Sequence, residues 1–198
     1  MHTAVPFVGL TGGLGSGKST ALAALERLGA SVISSDAVVH ELYEGAQLRD
    51  AVVERFGPEV APGGVVDRSA VAQRAFADPE DRRWLESTVW PMVGARVAGW
   101  LEAARAQTPA PRAAVVEVPL LFEAGLEGAY DATIAVVAEE SVRERRAAAR
   151  GHASVDERAA RQLTQEEKAS RATFVVRNDG TEEDLERELS SVLDKLGR

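Results

Sequence analysis

A chain of 198 residues holds one well-packed core and is short for two independent domains, and 45% hydrophobic with 27% charged residues is the composition of an ordinary folded protein. Its formal charge of −8 excludes a sequence-independent nucleic-acid binder, which needs a basic face to displace counterions, so any phosphate chemistry has to be local. The absence of cysteine excludes disulfides, thiolate metal sites and a cysteine nucleophile; with no signal-like N-terminus and no run of about 18 apolar residues, the expectation is a cytoplasmic protein without a membrane partner.

The first short apolar run, Val5–Leu10, leads into Gly12-Gly13-Leu14-Gly15-Ser16-Gly17-Lys18-Ser19, and a helical stretch, Thr20–Leu28, comes next. The string satisfies G-x-x-x-x-G-K-[ST] in the strand-to-helix context that motif requires. Glycines let consecutive N–H groups point at one phosphate, and the helix after them adds the positive end of its dipole. Gly13, Leu14, Gly15, Ser16, Gly17 and Thr20 therefore read as ATP-binding, and Lys18 as reaching the β- and γ-phosphates. Ser19 reads as a hydroxyl ligand to Mg²⁺. The bland alternative is a glycine-rich turn that caps a helix.

The second run, Ser31–Ser34, is followed by Asp36, at the carboxyl end of a strand where open α/β sheets bind ligands. Asp36 reads either as the group that accepts or aligns an acceptor hydroxyl's proton or as the N-cap of a helix over Ala37–Tyr43. The stretch Asp36–Arg112 before the next run is far longer than a crossover helix requires. Helical segments at Leu48–Phe56, Arg68–Phe76 and Asp81–Ala106, punctuated by Gly57, Pro58, Pro62, Gly63, Gly64, Pro79 and Pro91, predict an inserted helical subdomain over residues 37–107 on the substrate side. Thr108–Arg112 is the return linker. Trp84 and Trp100 read as core or interface anchors, not stacking platforms.

The third run, Ala113–Val118, contains Glu117 near its end, which reads either as a holder of Mg²⁺ through water or as a carboxylate with a structural partner. After the fourth run, Thr133–Val137, the spacing puts Arg143, Arg146 and Arg150 on one helix face, with Arg145, Arg158 and Arg161 close in sequence. Their planar forks suit phosphate oxygens and the charge that develops on a phosphoryl group in flight, which makes residues 139–162 a candidate arginine-bearing lid. A solvated helix paired with Glu139, Glu140 and Glu144 is the alternative. The last run is Thr173–Val176, and His2, His40 and His152 have no metal-ligand spacing.

Five continuously apolar runs separated by helical segments predict an α/β fold: a doubly wound, five-stranded parallel sheet of the P-loop NTPase type flanked by helices, one domain over residues 1–198 with the insertion and the lid attached. A GTPase is excluded because Asn178 is the only asparagine and is followed by Asp179 and Gly180, so no N-K-x-D guanine motif exists. A small-molecule kinase remains. A nucleoside or nucleoside-monophosphate kinase would share loop, lid and fold; a non-catalytic ATP-binding regulatory module would have no use for Asp36 and the arginines.

Over nearly its full length the chain resembles the dephospho-CoA kinase family. The resemblance rests on GLTGGLGSGKST, on SDAVVHELY, on FGPEVAPGGVVDRSAVAQRAFADPEDRRWLE, on VPLLFEAGL and on QLTQEEKASRATFVVRNDG. It implies transfer of the ATP γ-phosphate to the 3′-hydroxyl of dephospho-CoA, the last step of coenzyme A synthesis, with those two small molecules as partners. It further implies that Asp36 stands beside the acceptor hydroxyl, that Arg143 and Arg146 lie over the phosphates, and that Asn178 and Gly180 approach the adenine of ATP. Arg68, Leu120 and Gln162 would contact the acceptor, and the insertion would be the CoA-side subdomain. Where relatives carry His-Pro, this chain has Trp90-Pro91, and Trp90 is expected to be buried and structural, at the joint between insertion and core.

Overall fold

The computed structural model describes residues 5–149 and 162–197. Strands β1 (Phe7–Gly12), β2 (Ser31–Ser34), β3 (Ala114–Glu117), β4 (Ala132–Val137) and β5 (Phe174–Arg177) form one parallel sheet in the order β2-β3-β1-β4-β5. Helices among the described residues are α1 (Lys18–Arg27), α2 (Ser35–Glu44), α3 (Ala46–Phe56), α4 (Arg68–Ala77), α5 (Pro79–Arg105), α6 (Glu140–Ala149), α7 (Gln165–Arg171) and α8 (Glu182–Leu196). The chain divides into two compact units, one made of the residues up to Ser34 and from Leu101 onward, the other of Ser35–Trp100.

The inner strands match the apolar runs because they are covered on both faces: β3 and β4 are buried at every residue, and β1 at every residue after Phe7. The outer strand β5 departs from that expectation. Val176 is buried while Val175 and Arg177 on either side are exposed, the alternation of an edge strand. Val8, Leu10, Ile134, Val136 and Val176 meet Ala21 and Leu25 of α1 and Leu185 and Leu189 of α8 in one core. Burying each of those leucines contributes roughly 1.5–3 kcal/mol. Helix α8 is started by a capping box in which Thr181 accepts from the backbone of Asp184 and the Asp184 carboxylate accepts from the backbone of Thr181. Because every strand is parallel, the three inner ones end at the same edge of the sheet and gather there the glycine loop after β1, Glu117 at the end of β3, and α6 after β4.

The Ser35–Trp100 unit has its own apolar cluster of Leu48, Val52, Phe56, Val60, Val71, Ala75 and Val89. Trp84 packs against it edge-on to Phe56 with ring centroids 5.4 Å apart, as an anchor should. Helix α4 begins where Asp67 Oδ1 accepts from the backbone of Ser69 at 2.9 Å and of Ala70 at 3.2 Å. Trp90 contradicts the expected burial, being 58% exposed. Helix α5 turns Leu85, Val89, Met92 and Val93 inward at helical spacing, and Trp90 falls outside that stripe.

Candidate active site

Strand β1 runs to Gly12, and the loop beyond it turns the chain into α1. Gly15 and Gly17 have φ of +74° and +91°, where a side chain is strained. Gly17 is also the N-cap of α1, its carbonyl accepting from Ala21 N at 2.9 Å, so the helix begins at Lys18 and not at Thr20. A side chain on Gly12 would strike the carbonyl of Val136, and one on Gly17 would strike the Asn178 carboxamide. The loop is thus closely packed against the end of β4 and the turn after β5. Lys18 arches back across it, Nζ donating to the carbonyls of Gly12 at 2.9 Å and Gly13 at 3.2 Å. Ser19 is exposed and Thr20 half-buried, whereas the Ser16 hydroxyl is buried without a partner among the described residues.

Glu117 lies in register with Leu10 of β1 and Ser34 of β2. It is only 8% exposed, and its carboxylate makes no hydrogen bond or ion pair among the described residues. No cluster of three or more histidine or carboxylate groups able to hold a metal exists among the described residues. A Mg²⁺ ion fits such surroundings when most of its ligands come from phosphates and water, since Mg²⁺ dehydrates reluctantly and needs few protein oxygens.

Helix α6 brings two of the predicted arginines to the loop. Arg143 Nε donates to the Leu14 carbonyl at 2.9 Å and its Nη1 pairs with Glu140 at 2.6 Å. Arg146 Nη1 donates to the Asn178 carbonyl at 3.0 Å. Arg145 instead bonds the Ser141 carbonyl of its own helix at 3.2 Å, and Arg150, Arg158 and Arg161 lie outside the described residues, as does much of the 139–162 segment. Asn178 is buried, and its Nδ2 donates to the Ser16 carbonyl at 2.9 Å, so it holds the loop backbone directly. Gly180 is exposed, two residues after it.

The predicted acceptor-side residues fall in both units. Leu120 is half-buried in the turn after β3, and its carbonyl accepts from Ala124 N at 3.0 Å; Gln162 is half-buried as well. In the Ser35–Trp100 unit, Asp36 is exposed in the first turn of α2. That helix already starts at Ser35, so Asp36 is not its N-cap, which corrects the capping alternative; a carboxylate there complements the helix dipole. Arg68 opens α4 and is exposed. With His40, Tyr43, Glu44 and Gly64 to Val66 it lines a cleft of about 310 Å³. Burial pushes the Tyr43 phenol above its usual pKa, and the Arg68 charge pulls in the other direction.

The family model described as dephospho-CoA kinase matches residues 6–184. The chain belongs to the dephospho-CoA kinase family. It is 41% identical over 192 residues to the dephospho-CoA kinase of Thermus thermophilus, covering 96% of this chain and 91% of that one. It is 42% identical over 183 residues to the dephospho-CoA kinase of Anaeromyxobacter dehalogenans, covering 90% and 86%. A crystal structure of a Thermus thermophilus protein matches with a TM-score of 0.81 at 39% identity, over 98% of this chain and 99% of the other.

In this dephospho-CoA kinase family member, three further residues tie the site together. Lys168 is fully buried, its Nζ 2.8 Å from Glu123 Oε1 while donating to the Pro119 carbonyl at 2.8 Å and Thr11 Oγ1 at 3.4 Å. Glu123 Oε1 also accepts from Leu163 N at 2.8 Å. Gln165 embraces Ala138, its carboxamide accepting from the backbone N–H and donating to the carbonyl, both at 2.9 Å. Both VPLLFEAGL and QLTQEEK are visible as motifs, and lysine is scarce, but nothing local in either says that one holds the other.

Proposed function

We propose that the chain catalyses transfer of the γ-phosphate of ATP to the ribose 3′-hydroxyl of dephospho-CoA, giving coenzyme A and ADP, as a cytoplasmic enzyme. The observation that carries the reading is the glycine loop with the Lys18 ammonium folded over it, Arg143 bonded to its Leu14 carbonyl and Arg146 bonded to Asn178, which in turn holds Ser16. Family membership supplies the acceptor. Backbone N–H groups of residues 13 to 20 hold the phosphates, and the unpartnered Ser16 hydroxyl is one more donor inside the loop. Lys18 exchanges its bonds to the Gly12 and Gly13 carbonyls for β- and γ-phosphate oxygens. Arg143 and Arg146 neutralise charge on the phosphoryl group as it moves. Asp36 aligns the 3′-hydroxyl and accepts its proton, while Arg68, Leu120 and Gln162 contact the acceptor, Asn178 and Gly180 approach the adenine, and the helical unit serves as the CoA-side subdomain.

Ser19 and, through water, Glu117 would hold Mg²⁺, which would offset the negative charge of the phosphates. An almost buried Glu117 carboxylate with no hydrogen bond or ion pair among the described residues supports that assignment over a structural pairing. The test is a parallel assay of Mg-ATP with dephospho-CoA, AMP, CMP and free nucleosides. Turnover confined to dephospho-CoA is expected. Comparable turnover with a nucleoside or its monophosphate would replace the acceptor, and no turnover with any of them would leave an ATP-binding module.

A further inference from the structure

We infer that Gln165 is a positioning residue for phosphoryl transfer, because its carboxamide fixes the end of β4 from which α6 sets Arg143 and Arg146 against the phosphate loop; the inference rests on the transfer role given to those arginines above. Three consecutive residues at this exit are held by other elements. The Val137 carbonyl accepts from Asn178 N at 2.8 Å, Ala138 is bonded at both N–H and C=O by Gln165, and Glu139 N donates to Asp179 Oδ1 at 2.6 Å. Helix α6 begins at the next residue, Glu140, so both arginines lie within two turns of this fixed point.

The platform that holds Gln165 is itself anchored. A capping box between Thr164 and Glu167 sets the first turn of α7, and buried Lys168 ties that helix to Pro119, Glu123 and Thr11, the residue before Gly12. The stem of Gln165 also reaches the loop: a Cβ on Gly13 would lie 3.5 Å from Gln165 Cγ and 3.2 Å from Arg143 Nη2. One side chain therefore touches the β4 exit and borders the glycine loop beside an arginine.

The chemistry of the contact is specific. Holding the N–H and C=O of one residue needs an acceptor and a donor side by side, which a carboxamide has. A carboxylate of the same shape offers two acceptors and turns one of them toward the Ala138 carbonyl, and a methionine of similar length offers no donor. A role in packing alone would be met by methionine, whereas the positioning role would not.

The experiment uses the full chain with Gln165→Ala, Gln165→Met, Gln165→Glu, Arg146→Ala and the double variant Gln165→Ala/Arg146→Ala, measuring kcat, equilibrium ATP affinity and Tm for each. We expect all three Gln165 variants to lose kcat by about 10- to 100-fold, the usual effect of removing a group that orients a reacting one. ATP affinity should stay near wild type, and Tm should fall by a few degrees because buried Ala138 loses backbone hydrogen-bond partners. The double variant should be slower than Arg146→Ala by less than the Gln165→Ala factor, because part of the Gln165 effect runs through Arg146 and the rest through Arg143. Full kcat in Gln165→Met, a kcat loss that disappears when each variant is assayed well below its own Tm, or a double variant slowed by the product of the single losses each overturns the inference. A slow Arg146→Ala beside a normal Gln165→Ala overturns it while leaving the arginine reading intact. Full kcat in Arg146→Ala removes that reading, and the inference with it.

Discussion

In the unit that carries the glycine loop, the cationic and carboxamide side chains of the site are already bonded to backbone. Lys18 bonds the Gly12 and Gly13 carbonyls, Arg143 that of Leu14, Arg146 that of Asn178 and Asn178 that of Ser16. In the Ser35–Trp100 unit, Asp36 and Arg68 are exposed and make no hydrogen bond or ion pair with the described residues of that unit. The contrast matches the two halves of the proposed reaction. Stabilising charge on a moving phosphoryl group depends on dipoles and cations held in place beforehand, because reorganising them during the reaction would return the gain. An acceptor hydroxyl needs only one carboxylate in reach, and the binding energy of the rest of the acceptor can bring the two together.

The sharpest way to break the comparison is Lys18→Ala. It removes the cation centred on the transferring phosphate, and transfer should fall by at least about 10³-fold, the scale of losing a transition-state cation in phosphoryl transfer. The sheet should persist, since Lys18 is only half-buried and is not part of the apolar core. Single-turnover kinetics with circular dichroism checks both halves of the statement. Retained turnover would detach the loop from the chemistry.

Asp36→Asn is expected to lower turnover by about 10²- to 10⁴-fold, the span for losing a positioned base. Because Asp36 is exposed and is not the N-cap, Tm should barely move and ATP affinity should hold. Near-normal single-turnover transfer in this variant would retire the base assignment and leave the second unit without a reacting group.

Lys168→Met tests the committed side of the comparison through stability. It strands Glu123, whose Oε2 is buried without a partner, and removing one member of a buried pair costs about 3–5 kcal/mol. Urea denaturation should show that loss, and adding Glu123→Gln should recover part of it. A Lys168→Met protein as stable as wild type would mean that the pair does not organise the site.

The smallest effect is expected at Trp90. With the side chain 58% exposed, Trp90→His should change stability by less than about 0.5 kcal/mol, against the destabilisation that burial would have produced. A drop in Tm of several degrees would restore a structural role for the indole.

Much of the fold was legible in the amino-acid order alone. The second apolar run and strand β2 coincide at Ser31–Ser34, and the helical stretches of the insertion match α3, α4 and α5 to within two residues at each end. The errors have a common origin. Asp36 was readable as a cap because capping residues precede helices, but β2 passes into α2 without a loop, so the helix starts at Ser35, two residues before the expected Ala37. Trp90 was readable as buried from its apolar neighbours, yet its exposure depends on which face of α5 the unit's cluster selects.

What the sequence by itself determined is local: a glycine loop whose positive-φ positions admit little else, strands marked by continuous apolar runs, and the helical stretches of the insertion. Short-range sterics and spacing govern all of these. Only the tertiary structure decided that Gln165 holds Ala138, that Lys168 is buried on Glu123 and Pro119, and that Asn178 holds Ser16. A polar group that becomes buried has to be satisfied by whichever backbone or side chain the strand order brings beside it, and that partner sits at a sequence distance no local pattern encodes.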